Sequence, residues 1–480
     1  MRAQWIKVSG GSAEGDLSCT VGHRLPGRDG PVDGIYAGWL WNGRTLTIEQ
    51  DRYGFFPLFE WRTADAHWVS TDLGTLLEHG APTELDFDAL AVFFRIGFFV
   101  GTDTPFRAIR AVLPPDLPRP HLAISRHDAI DGFIDLFKAA TARRLPSAPY
   151  VLPLSGGRDS RHILFALHEA GHAPAACVTV RHFPPRGNDD EIVARELCAM
   201  LGIAHRLLSQ PSDRGLLERR KNAATHSCSD EHAQFVVLAE HLRAHTRETY
   251  DGIGGDVLSQ SGYLTPRSHA FFERGDIGGF AAFVLDGYGT ALSEAALART
   301  LAPRIQASVP RERALARLRQ EIARHADGPN PTAAFFLANR TRREIALAPY
   351  GLMRDIVVYA PYLDAALYDF LAALPASVQM DRTLHTEAIA RAWPRFAHVP
   401  YERKGEAVRD PRATRRLART LTPIAARAAR RWIRAAAVLP RLATTTLDGR
   451  PERLWDAGLL FYVDHIAELA STGAAASRAR

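Results

Sequence analysis

The stretch Ser155-Gly156-Gly157-Arg158-Asp159-Ser160 sets two hydroxyls, two adjacent glycines and one carboxylate side by side. Bare glycine backbone lets a ligand come close, and the N–H groups that open a helix favour an anion. Asp159 would repel a phosphate unless a divalent cation lay between them. The chemistry implied is the holding of a polyphosphate together with its metal. The Gly-x-x-x-x-Gly-Lys-Ser/Thr order of the kinase and GTPase phosphate loop, with its lysine, is absent.

The surrounding pattern supplies what must position that turn. Tyr150 to Leu154 is a short apolar run, and Ile163 onward resumes with helical spacing, so the turn joins a strand to a helix. A helix is expected from His127 to Arg144, a second buried strand over 175–180, and a helix opened by Asp189-Asp190-Glu191 and carried by Ile192 to Leu201. A short strand over 206–209 completes the set. Strands and helices that alternate at this length predict a parallel doubly wound sheet, with its ligand at the carboxyl ends of the strands. A second glycine-rich turn, Tyr250-Asp251-Gly252-Ile253-Gly254-Gly255-Asp256-Val257, follows about a hundred residues on. Two such turns, each carrying an aspartate, make a clamp in which Asp159 and Asp256 would share one Mg²⁺.

Ser-Gly-Gly-x-Asp-Ser resembles the pyrophosphate loop of the ATP pyrophosphatases, which split ATP between its α and β phosphates. The wider order resembles the asparagine synthetases. Residues 33–115 are similar to that family's amino-terminal glutaminase domain: Asp51-Arg52-Tyr53-Gly54-Phe55-Phe56-Pro57-Leu58 looks like its Asp-Arg-x-Gly-x-x-Pro-Leu turn, and Ser70 to Leu77 like the segment that follows. Hairpins are expected around Asn42-Gly43 and between Pro57–Trp61 and Trp68–Ser70. Phe106 to Pro114 looks like the exit toward the synthetase half. The family's glutaminase uses a mature amino-terminal cysteine, whereas Arg2 follows the initiator here and the first cysteine is Cys19. The resemblance therefore implies an Ntn-hydrolase-like α+β sandwich, degenerate and without glutamine hydrolysis, over 1–125. An ATP-pyrophosphatase doubly wound domain, of the adenine nucleotide alpha hydrolase-like fold, would occupy 126–480, with its sheet core at 150–265 and a largely helical part at 266–480.

The same resemblance assigns residues. Ser155, Gly156, Gly157, Asp159 and Ser160 would hold the phosphates, and Leu154, Val180, Asp251 and Gly252 would line the adenosine. Gly254 and Gly255 would close the second turn, in which Asp251 replaces the family's serine and Val257 its glutamate. Tyr359-Ala-Pro-Tyr-Leu-Asp364 resembles the family's Arg-Val-Pro-Phe-Leu-Asp. Val399-Pro-Tyr-Glu-Arg-Lys404-Gly405 matches the segment whose lysine reaches the ATP phosphates, which implies that role for Lys404. The family's acceptor-site glutamate corresponds to Val357, and Glu387 is the substitute base suggested by position. Amphipathic helices are expected over 333–347 and 384–392, and the arginine-rich stretch 409–441 reads as a solvated closing helix or a cationic amphipathic one.

Over 480 residues, a net charge of +6 and a pI of about 9.2 suit nucleotides or acidic substrates, and 46% apolar content fills two or three cores. Cys19, Cys177, Cys198 and Cys228 lack metal or disulfide spacing. With no secretory start and no long apolar span, a cytoplasmic protein is expected. The function expected is an AMP- and pyrophosphate-forming amide synthetase that uses ATP and Mg²⁺. Its partners would be a small-molecule or peptide carboxylic acid and ammonia or an amine, with a homodimer as an assembly to test, no nucleic acid and no stable membrane insertion. Lasso-peptide cyclases and β-lactam synthetases are related ring-closing enzymes. Asparagine synthesis itself, a sulfur-transferring pyrophosphatase and a non-catalytic nucleotide-binding relative stay open.

Overall fold

The computed structural model describes residues 3–26, 32–117, 120–181, 186–188, 190–226, 232–260, 263–287, 292–407, 409–429 and 431–478, with side chains excluded at 186–188, 404–407 and 475–478. Arg2, Asp189, Cys228 and the side chain of Lys404 thus lie outside the described set.

The amino-terminal part carries two antiparallel sheets. Strands β1 (Trp5–Ser9), β2 (Ser12–Gly15), β6 (Phe59–Arg62), β7 (Ala66–Ser70) and β8 (Ile109–Ala111) run in the order β2-β1-β7-β6-β8. Strands β3 (Ser18–Leu25), β4 (Asp33–Trp41) and β5 (Leu46–Gln50) form the other sheet. Both expected hairpins are present, as β4–β5 and β6–β7. Alternation along β3 turns Cys19 and Val21 inward, as a period of two requires. Helices α1 (Leu73–Glu78) and α2 (Phe87–Ile96) each start on an aspartate cap, Asp72 and Asp86.

The Asp-Arg-x-Gly turn has a local cause. Asp51 accepts the N–H groups of Tyr53 and Gly54 at 2.8 Å each, and Gly54 sits at φ +65° where a Cβ would collide with Pro114 Cδ.

Helix α3 (Arg126–Ala142) leads into the parallel part. Strand β9 (Val151–Pro153), helix α4 (Arg158–Glu169), β10 (Ala176–Val180), β11 (Arg186–Asn188), α5 (Asp190–Leu201) and β12 (Ala204–Leu208) follow, with β12, β10 and β9 parallel in that order. After α6 (Arg214–Thr225) and α7 (Ala233–His245), β13 (Glu248–Tyr250) pairs in parallel with β14 (Val357–Tyr359), and Thr249 Oγ1 donates to Val151 O, which sets β13 beside β9. Strand order is thus 3-2-1-4-5 across these five, the doubly wound pattern expected, and helix α8 (Gly255–Ser259) leaves the second turn. Strand β15 (Lys404–Ala407) pairs antiparallel with β11, which brings Lys404 opposite Asn188.

The remainder is helical, with two differences from the sequence pattern. Residues Leu337–Ile345 and Leu347–Leu352 wind as π-helix after an α-helical start at Pro331, with Ala346 N–H reaching back five residues to Thr341 O. The 409–441 stretch is two helices, Pro411–Ala428 and Ala435–Asp448, rather than one; they pack on each other, and the first also packs on the closing helix Ala457–Arg478. No helix among the described residues is long and apolar enough to cross a membrane.

Charged pairs tie the two halves together across their shared core. Arg144, buried, bonds Asp33 at 2.8 Å and Asp364 at 2.6 Å; Asp364 also caps the helix Ala365–Ala372. Arg52 reaches Asp369, and Asp72 meets His226 at 2.9 Å, which in turn meets His465. Burial pushes the Asp72 carboxyl up, but the His226 bond and charge outweigh it and hold it well below the usual range. A carboxyl depressed in the folded state stabilises above its unfolded pKa of about 4, and that contribution is lost as pH falls through the folded value. Asp72→Asn, which can still cap α1, is therefore expected to cost about 1–3 kcal/mol at pH 7 and much less near pH 2, as read by urea unfolding at each pH.

Candidate active site

Loop and strap are built by short-range bonds. Leu154 N–H continues the β9 ladder to Val178 O, after which Ser155 N–H donates to Ser160 Oγ at 3.1 Å and Gly157 N–H to Ser155 Oγ at 3.1 Å. Gly156 N–H donates to Asp190 Oδ1 at 2.7 Å, at the first turn of α5. The acidic residue read as a helix-start preference thus has a second role, holding the loop's backbone with a carboxylate. Glu191 instead pairs with Arg181.

The segment Val399–Glu402, just before Lys404, is strapped onto this loop. Glu402 N–H donates to Gly156 O at 3.2 Å, and buried Arg161 donates to Val399 O at 2.9 Å and Pro400 O at 2.6 Å. Tyr401 lies under the guanidinium groups of Arg158 and Arg161, at 4.4 and 4.0 Å from its ring centre. One residue, Arg403, separates this segment from Lys404, whose own backbone is held in β15.

The second glycine turn meets the first at Asp159. Asp251 N–H donates to Tyr359 O and its carboxylate accepts Ile253 N–H at 2.8 Å, while Gly254 takes φ +87° and Val257 N–H donates to Asp256 Oδ1. A Cβ on Gly252 would collide with Asp159 Cβ, and one on Gly255 would lie 2.8 Å from Asp159 Cγ and 2.9 Å from the Tyr362 ring. Leu154, Ser155, Gly157, Asp159, Ser160, Val180, Asp251, Gly252, Gly254 and Asp256 line one cleft. Gly156 and Gly255 stand behind it, their missing side chains making room for Glu402 and Asp159.

Glu387 is not brought to this cleft. It accepts hydrogen bonds from Arg126 and Thr383 on an exposed surface, which hold its carboxyl below the usual range, and it lines no part of the cleft. Position in the chain suggested a base there, but the start of α3 lies beside it and supplies a better partner.

Electrostatics mark Asp159. Burial, then the charges of Asp256 and Asp251, push its carboxyl well above the usual range, with Arg158 opposing and Glu402 adding. Burial raises Asp251 to about 6. Asp159 Oδ1 is buried without a hydrogen-bond partner, 3.4 Å from His385 Nδ1. A cation fits this set, because a half-buried carboxylate facing others of its own sign is relieved by positive charge. Among the described residues no three ligand side chains are grouped to enclose a metal alone, and Asp159 and Asp256 are the carboxylates that would hold a divalent cation here.

Beneath Asp159 lies a buried network that sequence reasoning missed. Ser259 Oγ donates to Gly255 O and so accepts from His385 Nδ1–H at 2.9 Å, which leaves the single lone pair of His385 Nε2 facing Tyr362 OH and His162 Nδ1, both at 3.0 Å. Burial lowers His385 to about 3 and takes His162 well below its usual value, so both rings are neutral. Other missed walls are Gln234, Phe235 and Leu238 from α7, and Arg340, Thr341 and Ile345 from the π-helical segment. Only Glu402, inside the segment that pointed to Lys404, carried a signal that could have been read.

Cys19, Cys177 and Cys198 are all buried away from the cleft. Cys19 Sγ lies 3.0 Å from Gln4 Oε1, and burial pushes its thiol up to about 12. Cys177 is buried in β10, where Cys198 and burial push its thiol up.

The asparagine synthase family model matches residues 132–457, which spans every element that builds the cleft. A search of curated proteins found no match. On that match and on the meeting of the two glycine turns at Asp159, the chain belongs to the asparagine synthase family, whose members are ATP-dependent, amide-bond-forming ligases.

Proposed function

We propose that the protein adenylates a carboxylic acid and passes the acyl group to an amine or ammonia, releasing pyrophosphate and AMP. The observation that carries this reading is Asp159, half-buried among like charges at the contact of the two turns, with Oδ1 enclosed. When bound, Mg²⁺ would neutralise the charge that builds on the departing phosphates. The chain's own part is to bind and orient. Ser155, Ser160 and Gly157 N–H now bond one another, and they would exchange those internal acceptors for pyrophosphate oxygens. Leu154, Val180 and Gly252 would hold the adenosine at the strand ends. The substrate carboxylate oxygen attacks the α phosphorus as the bond to pyrophosphate breaks; the amine nitrogen then attacks the acyl carbon, AMP leaves with the bonding pair, and the nitrogen loses a proton. Lys404, carried in by the strap that Arg161 anchors, would counter charge on the phosphates during both steps.

Val357 lies on β14 where the family's acceptor-site glutamate is expected, so an amide other than asparagine is proposed. Cys19, held as a buried thiol within β3, favours a nitrogen source other than glutamine hydrolysed by this chain. Cysteine chemistry of the sulfur-transferring kind has no support from Cys177. The test is ³¹P NMR of turnover, with ATP–pyrophosphate exchange, over a panel of amino acids, β-amino acids and peptide acids with ammonium or without added amine. AMP and pyrophosphate are expected; ADP and phosphate as the products would sink the reading.

A further inference from the structure

A second cavity lies on the far side of the segment 331–352 from the nucleotide cleft. Arg340, Thr341 and Ile345 face the cleft, whereas Ala334, Ala338 and Arg342 face the second cavity, and no lining residue is shared. Its walls are largely apolar, with Leu117, Leu258, Leu337 and Leu371 among them, and its polar lining is Asp116, Asn330, Arg342, Tyr368 and Gln379. The amides of Asn330 and Gln379 are engaged with each other and with Leu258 O. Arg342 differs from these amides. Its Nε is buried with no hydrogen bond, and none of the ion pairs among the described residues includes it. Burial lowers its pKa, and every carboxylate that acts on it is already committed: Asp51 to the backbone of Tyr53 and Gly54, Asp116 to Arg324 at 2.8 Å, Glu321 to Arg317 at 3.2 Å. The adjoining Arg343 is spent on the carbonyls of Gly101 and Asp103.

A guanidinium N–H buried in a largely apolar pocket without an acceptor is costly, and the group that satisfies it best is a planar carboxylate that accepts from its fork. We propose that this cavity binds an apolar monocarboxylate, its carboxylate on Arg342 and its hydrocarbon body between Leu117, Leu258 and Leu371. The π-helical winding of Leu337–Ile345 accompanies it, a rare conformation that concentrates at functional sites. Because the cavity shares no wall with the nucleotide cleft, the proposal stands apart from the reading of that cleft.

The test uses the full-length protein and hexanoate as probe, by isothermal titration calorimetry and ligand-observed NMR. Hexanoate is expected to bind with a submillimolar Kd, and hexan-1-ol about tenfold or more weaker, since the hydrogen-bonded charge pair is lost. Arg342→Met is expected to weaken hexanoate on the order of tenfold or more while leaving hexan-1-ol unchanged. Ala338→Phe, which fills the cavity and keeps the guanidinium, should abolish both. MgATP binding, measured on the same samples, should match wild type and so report that each variant is folded. Absence of hexanoate binding at millimolar concentration, equal affinity in Arg342→Met, or undiminished binding in Ala338→Phe would each overturn the proposal.

Discussion

Asp159→Asn is expected to reduce MgATP-dependent turnover about 10²–10³-fold, the scale seen when one preorganised electrostatic group is removed from a reacting centre. The same variant should be more heat-stable than wild type in metal-free buffer at pH 8. Burial and the charges of Asp256 and Asp251 raise the Asp159 carboxyl well above its ordinary value. A carboxyl raised in the folded state contributes stability that is full below the unfolded pKa, about 4, and lost as pH rises through the folded value. Asparagine keeps the shape and carries no charge, so the loss disappears. Melting temperatures of both proteins from pH 4 to 9, with and without Mg²⁺ and ATP, give the measurement. Wild type should lose stability with rising pH more steeply than the variant and regain it with MgATP, whereas the variant should gain little. A variant that keeps full activity, or that melts lower at pH 8 with no dependence on pH, would remove Asp159 from the site.

Gly255→Ala carries the second large effect. Its methyl would lie 2.8 Å from Asp159 Cγ and 2.9 Å from the Tyr362 ring, and Tyr362 is itself packed on His162 and His385 with no room to yield. Either Asp159 swings out of the clamp or the α8 turn shifts away from it. Overpacking of a buried site costs about 1–3 kcal/mol in stability, but the loss of ATP affinity should exceed that share because the carboxylate is displaced from the phosphates. Calorimetric titration with MgATP, alongside urea unfolding, separates the two. Gly171→Ala is the control: that glycine is left-handed at φ +78° with open space around it, so alanine there should cost stability through backbone strain and leave ATP affinity unchanged.

How far each element was legible depends on the range of the forces that make it. The turn at Ser155–Ser160 and the turn at Asp251–Asp256 were readable because adjacent glycines, hydroxyls and carboxylates set their shape locally. Hairpins at Asn42-Gly43 and at β6–β7 were readable for the same reason, and the doubly wound order follows from alternating strands and helices. Glu387 was misplaced because a base chosen by chain position ignores the neighbour that folding supplies, here Arg126 from a helix some 261 positions earlier. The π-helical winding within 337–352 was hidden because its apolar spacing is close to that of an α-helix.

What residues alone determined is the kind of chemistry: a glycine turn that accepts an anion, beside a carboxylate that demands a cation. What only the tertiary structure decided is which carboxylates share that demand, and why Asp159 above the others. Asp251 and Asp256 come from one turn and Glu402 from a distant segment, and their effect on Asp159 arises only when burial removes the water that would screen them. Charge type is written in each residue, whereas its strength depends on distance and on the exclusion of solvent, and both of those belong to the folded chain.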